Sequence, residues 1–247
     1  MLPRPSRFWK PGRSTGNLEG LAKTKTTMNR AEPLEYGNVY HLYNRGIDGC
    51  DLFREPANYE YFFNLYIKHI EPIADTYAWV LMKNHFHFLI RIKDRPPDLP
   101  GFGNQEGLCS PKGLEASSDL PGFKNLEGLA KSPHQYFSNL FNAYTKAVNK
   151  KYDRTGSLFE KNFHRKRITT QDYLRQVLLY IHNNPVHHGF CSHPSEYPWS
   201  SYLSCILVQP AHPCRDTVIG WFDDIGNFKY CHDKKVETDR IEKWLAI

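Results

Sequence analysis

The sequence predicts an α+β fold: an antiparallel sheet with helices packed on one face. Three observations lead there. Short segments alternate apolar and polar residues as strands do, at about Asn38–Asn44, Ile73–Met82, His85–Lys93 and Phe163–Ile168. Longer segments carry apolar residues at helical spacing. The order is strand, helix, hairpin, helix, strand, helix, which suits an antiparallel sheet covered by helices.

The first strand reads Tyr40-His41-Leu42-Tyr43-Asn44-Arg45-Gly46, and a helix over about Pro56–Ile70 places Tyr59, Phe62, Phe63 and Tyr66 along it. Two strands joined by a tight turn follow. The second contains Met82-Lys83-Asn84-His85-Phe86-His87-Phe88-Leu89-Ile90. Because strand side chains alternate, His85 and His87 share one face, and Phe86, Phe88 and Ile90 share the other. Two imidazoles side by side can bind one metal ion, although a strand with two half-exposed histidines reads equally well from the pair alone.

The next helix, about Gln135–Lys151, has Phe137, Leu140, Phe141, Tyr144 and Val148 on its apolar side. In the last helix Thr170 is the expected N-cap, and Asp172 sits in the first turn, where negative charge suits the helix dipole. Leu174, Val177, Leu178 and Ile181 form its buried stripe, and Pro185 predicts an end at Asn184. Tyr180 and Asn184, four apart, lie on one face. They can complete a site with the histidines, or serve as a core aromatic and a C-cap. Tyr144 and Tyr173 are the competing tyrosines, the first placed in the core and the second able to contact DNA or merely to pack. His182, His187 and His188 read as surface or supporting groups.

Met82, Asn84, His85 and His87, followed by a helix ending Tyr180-Ile181-His182-Asn183-Asn184-Pro185-Val186-His187-His188-Gly189, resemble the single-tyrosine HUH transposases, and most closely the REP-associated tyrosine transposases. Tyr40 to Gly46 and Arg154 to Phe163 share the resemblance, which covers roughly Asn38 to Tyr202 apart from one interruption. Lys83 stands where that family often has proline, a change to the turn and not to the ligands. The resemblance implies a ferredoxin-like, HUH endonuclease-like core, His85, His87 and Asn184 as ligands of a divalent ion, and Tyr180 as nucleophile. It implies action on single-stranded DNA with hairpins or palindromic repeats, by a monomer or a homodimer.

The chemistry is coherent. A tyrosinate can attack phosphorus and store the cut bond as a phosphotyrosine. With a free pKa of about 10, tyrosine needs help to ionise. Two imidazoles and an amide leave positions open for phosphate oxygens, which suits Mg²⁺ or Mn²⁺, and zinc would also bind. The runner-up is a catalytically decayed or domesticated hairpin-binding protein, and a hydrolase of small phosphoesters is a third reading.

The net charge of +6 over 247 residues fits a polyanionic partner. Nine Lys or Arg fall between Lys146 and Arg175, interleaved with Tyr152, Phe159 and Phe163. This is how single strands are gripped, by phosphate contacts beside stacking rings. Lys146, Lys150, Lys151, Arg154, Lys161, Arg165, Lys166 and Arg167 are therefore the DNA-contact candidates. A solvated helix face with its loop is the bland alternative.

The six cysteines form no Cys-x-x-Cys pair, Met1 to Thr27 lack the apolar core of a signal peptide, and no apolar run reaches the roughly 20 residues of a membrane span. A cytoplasmic protein with reduced thiols is expected.

Asp98-Leu99-Pro100-Gly101-Phe102 recurs as Asp119-Leu120-Pro121-Gly122-Phe123, and the segment Gly16 to Lys23 returns closely as Lys124 to Lys131. Tandem copies this rich in Gly and Pro cannot stack a core, so residues 94–133 read as a flexible repeat-containing insert. The copies look like translated DNA repeats, and Met28 could be the original start. The expected organisation is an N-terminal extension over 1–35, a catalytic domain over 36–93 and 134–204 around the insert, and a C-terminal extension of unreadable role over 205–247.

Overall fold

The computed structural model describes residues 32–94, 132–207, 213–234 and 241. The repeat copies and Met28 fall outside them. Four strands, β1 (Val39–Arg45), β2 (Ala74–Leu81), β3 (His85–Ile92) and β4 (His164–Ile168), form one sheet in the order β2-β3-β1-β4 with every neighbouring pair antiparallel. Helix α1 (Pro56–His69) links β1 to β2, and α2 (Pro133–Lys151) lies between β3 and β4. The expected α+β class is thus realised, with the strand order of a ferredoxin-like core.

The two central strands are β1 and β3, and both are buried on both faces. Phe86, Phe88, Ile90 and Ile92 of β3 join Tyr40 and Leu42 of β1 in one cluster with Phe62 and Tyr66 of α1 and Phe137, Leu140 and Tyr144 of α2. On the opposite face Tyr43, Val80 and Leu89 meet Leu174, Val177, Leu178, Tyr180 and Ile181 of α3 (Gln171–His187). Helices therefore cover both faces, not one. The reason is visible in β3, where Leu89 continues the histidine face into apolar territory and needs a cover of its own.

Three short helices, α4 (Tyr202–Ile206), α5 (Arg215–Gly220) and α6 (Ile225–Asp233), add to the α3 side. Tyr202, Val218, Phe222 and Phe228 are buried in the same cluster. A polar thread runs through it. His182 has Nδ1 2.9 Å from His232 Nε2 and Nε2 2.8 Å from Ser201 Oγ, and Ser201 Oγ accepts from Trp79 N at 2.8 Å. His182 is completely buried, not a surface group.

Thr170 caps α3 as expected, its hydroxyl accepting from Tyr173 N at 3.3 Å, and Asp172 pairs with Arg175 at 2.8 Å. The helix does not end at Asn184. It runs through Pro185 to His187. Proline removes one intrahelical donor, but here only in the last turn. The chain is held beyond it by bonds from His188 N to Asn184 O and from Phe190 N to Pro185 O, at 3.0 and 2.8 Å.

Candidate metal and nucleophile site

Two local devices position β3. The turn Lys83–Asn84 joins it to β2, with Met82 N donating to His85 O at 2.8 Å. Lys83 O accepts from Leu52 N and Phe53 N, and Asn84 O accepts from Gly46 N at 2.8 Å. The turn is thus pinned by the end of β1 and the loop after it, where the Asn44-Arg45-Gly46 motif lies.

His85 and His87 do share a face, with ring centroids 5.3 Å apart and planes at 81°. That face is covered by α3 and not open to solvent. His87 is 4% exposed. Tyr180 packs edge-on against it, centroids 5.4 Å apart at 81°. One turn further along α3, Asn184 places Oδ1 3.0 Å from His85 Nε2. All four side chains come from one chain. Their convergence follows from alternation on β3 and i, i+4 spacing on α3.

Burial dominates the electrostatics. It holds His85 down to about 4, with the Asn184 contact opposing and the charges of His188 and Arg45 adding to the depression. Burial likewise takes His87 well below the usual histidine range, helped by His41, His85 and His188, and takes His41 to about 3. The rings are neutral at pH 7, and each carries one N–H and one lone pair.

That charge state exposes a mismatch at His85. Its Nδ1 lies 2.8 Å from Asn84 Oδ1 and its Nε2 3.0 Å from Asn184 Oδ1. A single N–H serves only one of these oxygens, so the other contact sets lone pair against lone pair. Asn184 Nδ2 is meanwhile buried without a partner. A cation shared by His85 Nε2 and Asn184 Oδ1 removes the conflict, as would turning the amide over to present Nδ2. His87 Nε2 has no hydrogen-bond partner among the described residues. Two neutral imidazoles and an amide oxygen are donor chemistry that a divalent ion accepts. Among the described residues no three His, Cys, Asp or Glu side chains form a metal-binding group, so a carboxylate is not part of this set.

Tyr144, the competing tyrosine, lies across the sheet in the α1–α2 layer. It is fully buried, its hydroxyl donates to Leu52 O at 2.7 Å, and burial raises its pKa far above the ordinary value. Tyr173 packs at the margin of the α3 cluster.

The basic residues are divided between the two faces. Residues paired across a ladder share a face. Lys166 pairs with His41 and His164 with Tyr43, on the site face, whereas Arg165 pairs with Leu42 and Arg167 with Tyr40, on the α1–α2 face. Arg165 lies 4.9 Å over the Phe163 ring, and Arg167 binds Glu35 at 3.2 Å and Asn38 at 2.8 Å. Lys146, Lys150 and Lys151 belong to α2, in that same far layer, with Lys151 bound to Glu55. Arg154 bonds Asn149 at 2.9 Å, and Lys161 is exposed in the loop before β4.

The sequence reading missed Arg45 and His41 near the site, and it placed His188 among the surface or supporting groups. Arg45 is paired with His85 across the ladder and bonds Glu160 at 2.6 Å. His188 is exposed with its ring 5.2 Å from that of His85. His41 is buried against His87. Arg45 and His41 lie within the first-strand motif, and that motif was the available signal.

With this geometry established, comparison with solved structures finds a counterpart. The chain is similar to a REP-associated tyrosine transposase bound to a REP hairpin. The two are 16% identical, the match covers 73% of this chain and 86% of the other, and the TM-score is 0.49. No family model and no curated protein matches the chain. Among the described residues no helix is long and apolar enough to cross a membrane.

Proposed function

We propose that this protein is a metal-dependent endonuclease and strand transferase for single-stranded DNA, a transposase that cuts beside hairpins through a phosphotyrosine at Tyr180. One observation carries the proposal. A single helix sets Tyr180 against His87 and Asn184 against His85, which supports reading Tyr180 as the nucleophile beside a donor set of His85, His87 and Asn184. The motif resemblance supports the same assignment.

In this reading His85 Nε2, His87 Nε2 and Asn184 Oδ1 would hold Mg²⁺ or Mn²⁺, which when bound would supply charge neutralisation on the non-bridging phosphate oxygens. Tyr180 Oη attacks phosphorus after losing its proton, the bond to the departing sugar oxygen breaks, and that oxygen is protonated. The packing of α3 on the sheet orients the tyrosine and keeps water away from the covalent link. Lys166 and Arg45, on the site face, would attract the strand.

The test is a cleavage assay on single-stranded DNA carrying palindromic hairpins, with Mn²⁺ or Mg²⁺ beside EDTA and Tyr180→Phe controls. A metal-dependent protein–DNA adduct that disappears in Tyr180→Phe is expected. An adduct that survives Tyr180→Phe would remove Tyr180 from the role. Hairpin binding without cutting would support the second reading, a binder without catalysis. That reading draws on the burial of Tyr180, which is only 3% exposed.

A further inference from the structure

His41 is completely buried in β1, its Nε2 is 3.0 Å from His87 Nδ1, and its Nδ1 has no partner. The two imidazole planes differ by only 12°, so the contact is an in-plane hydrogen bond between rings. Tyr43 stacks on His41 with centroids 5.1 Å apart, and Tyr180 meets it edge-on at 87°. Tyr43 in turn stacks on His164, 4.9 Å away. The His41 ring is thus packed among Tyr43, His87 and Tyr180.

We propose that His41 is a positioning residue for the metal site: it accepts the Nδ1 proton of His87 and so holds His87 in the tautomer that presents an Nε2 lone pair. This inference rests on the reading of His85, His87 and Asn184 as metal ligands.

A neutral imidazole has one N–H, so the bond between these rings exists in two arrangements. If His41 Nε2 carries the proton, His87 is protonated at Nε2 and has no lone pair for an ion. If His87 Nδ1 carries it, the Nε2 lone pair is free to bind. The second arrangement leaves His41 protonated at Nδ1, where no acceptor lies. A buried donor without a partner is destabilising, and an apolar residue in its place would avoid that cost. Removing His41 would therefore take away one buried unpartnered group and leave another, because His87 Nδ1 loses its acceptor. Partners of this kind, behind the ligand, usually change metal affinity about 10–100-fold.

The experiment measures Mn²⁺ binding to the full chain by titration calorimetry and electron paramagnetic resonance, beside thermal melting without metal. Three chains are compared: wild type, His41→Phe, which keeps a stacked ring but no acceptor, and His41→Gln, whose amide oxygen can accept. His41→Phe is expected to raise the Mn²⁺ Kd about 10–100-fold with little change in melting temperature, and His41→Gln to recover most of the affinity. A folded His41→Phe chain that binds Mn²⁺ like wild type overturns the proposal. Should His41→Phe fail to fold, nitrogen-15 imidazole shifts of the wild type with saturating Mg²⁺ decide. A protonated His87 Nδ1 beside an unprotonated His41 Nε2 supports the proposal, and the reverse pair overturns it. A His85→Ala control separates the two levels: if it binds Mn²⁺ as well as wild type, the metal site itself is lost and the proposal with it.

Discussion

Asn184 reaches across from α3 to place its amide oxygen 3.0 Å from Nε2 of His85 on β3, two acceptors face to face if Asn84 takes the proton on Nδ1. A cation between them turns a repulsive contact into a shared ligand pair. Asn184→Ala should therefore weaken Mn²⁺ binding about ten-fold or more, a loss of roughly 1.4 kcal/mol or above. Asn184→Asp should bind Mn²⁺ more tightly than wild type, because a carboxylate is a stronger ligand for a hard ion. Titration calorimetry distinguishes these outcomes, and equal affinities across the three chains would exclude Asn184 as a ligand.

Lys166 and Lys150 make a matched pair for the DNA contact, one on the site face of β4 and the other on α2 beyond the sheet. Lys166→Ala should weaken hairpin binding and lower the slope of log affinity against log salt by about one ion. Lys150→Ala should leave both nearly unchanged. Fluorescence anisotropy at several salt concentrations reads the slope. Equal effects from the two substitutions would mean that DNA runs over both faces or that neither lysine touches it.

How far the sequence could reveal these features depended on the physics each one uses. Alternation on β3 showed that His85 and His87 share a face, and helical spacing put Tyr180 beside Asn184. Alternation does not say what covers a face, so the second helical layer was not legible. Neither was the Pro185 continuation, where local bias is overruled by bonds reaching past the helix end. The nine clustered cations read as one patch, because closeness along the chain hides the side to which each points. Strand alternation within β4 already separates Lys166 from Arg165 and Arg167. His41 escaped notice because its partner lies 46 residues away in sequence.

Acid should destabilise the metal-free protein below the ordinary histidine range. Burial holds His41 to about 3, and His85 and His232 to about 4. The unfolded chain binds protons at about 6.5 that these rings refuse, so stability is full above pH 6.5 and falls as the pH drops toward 4. For His232 alone the loss across that window is about 3 kcal/mol. Urea unfolding in EDTA at pH 7 and pH 5 should show the midpoint moving down, and a flat midpoint would contradict the burial of these neutral rings. His232→Gln should make the dependence shallower.

Gly46 is where the first-strand motif meets the histidine strand. Its φ of −66° is open to any residue, so the requirement for glycine comes from space. A Cβ there would lie 2.0 Å from Cys50 O and 2.9 Å from Cys50 Sγ. Backbone cannot yield cheaply, so Gly46→Ala must move the loop. That loop also donates Gly46 N to Asn84 O, and Asn84 Oδ1 lies 2.8 Å from His85 Nδ1. The substitution should cost about 1–3 kcal/mol of stability. It should lower the melting temperature by several degrees, about 2–4 °C per kcal/mol for a chain of this size. Mn²⁺ affinity should fall with it, since His85 loses the partner that orients its ring. A normal melting temperature would show that the loop relaxes freely. A lowered melting temperature with undiminished Mn²⁺ affinity would show that the turn holds the fold without holding the ligand.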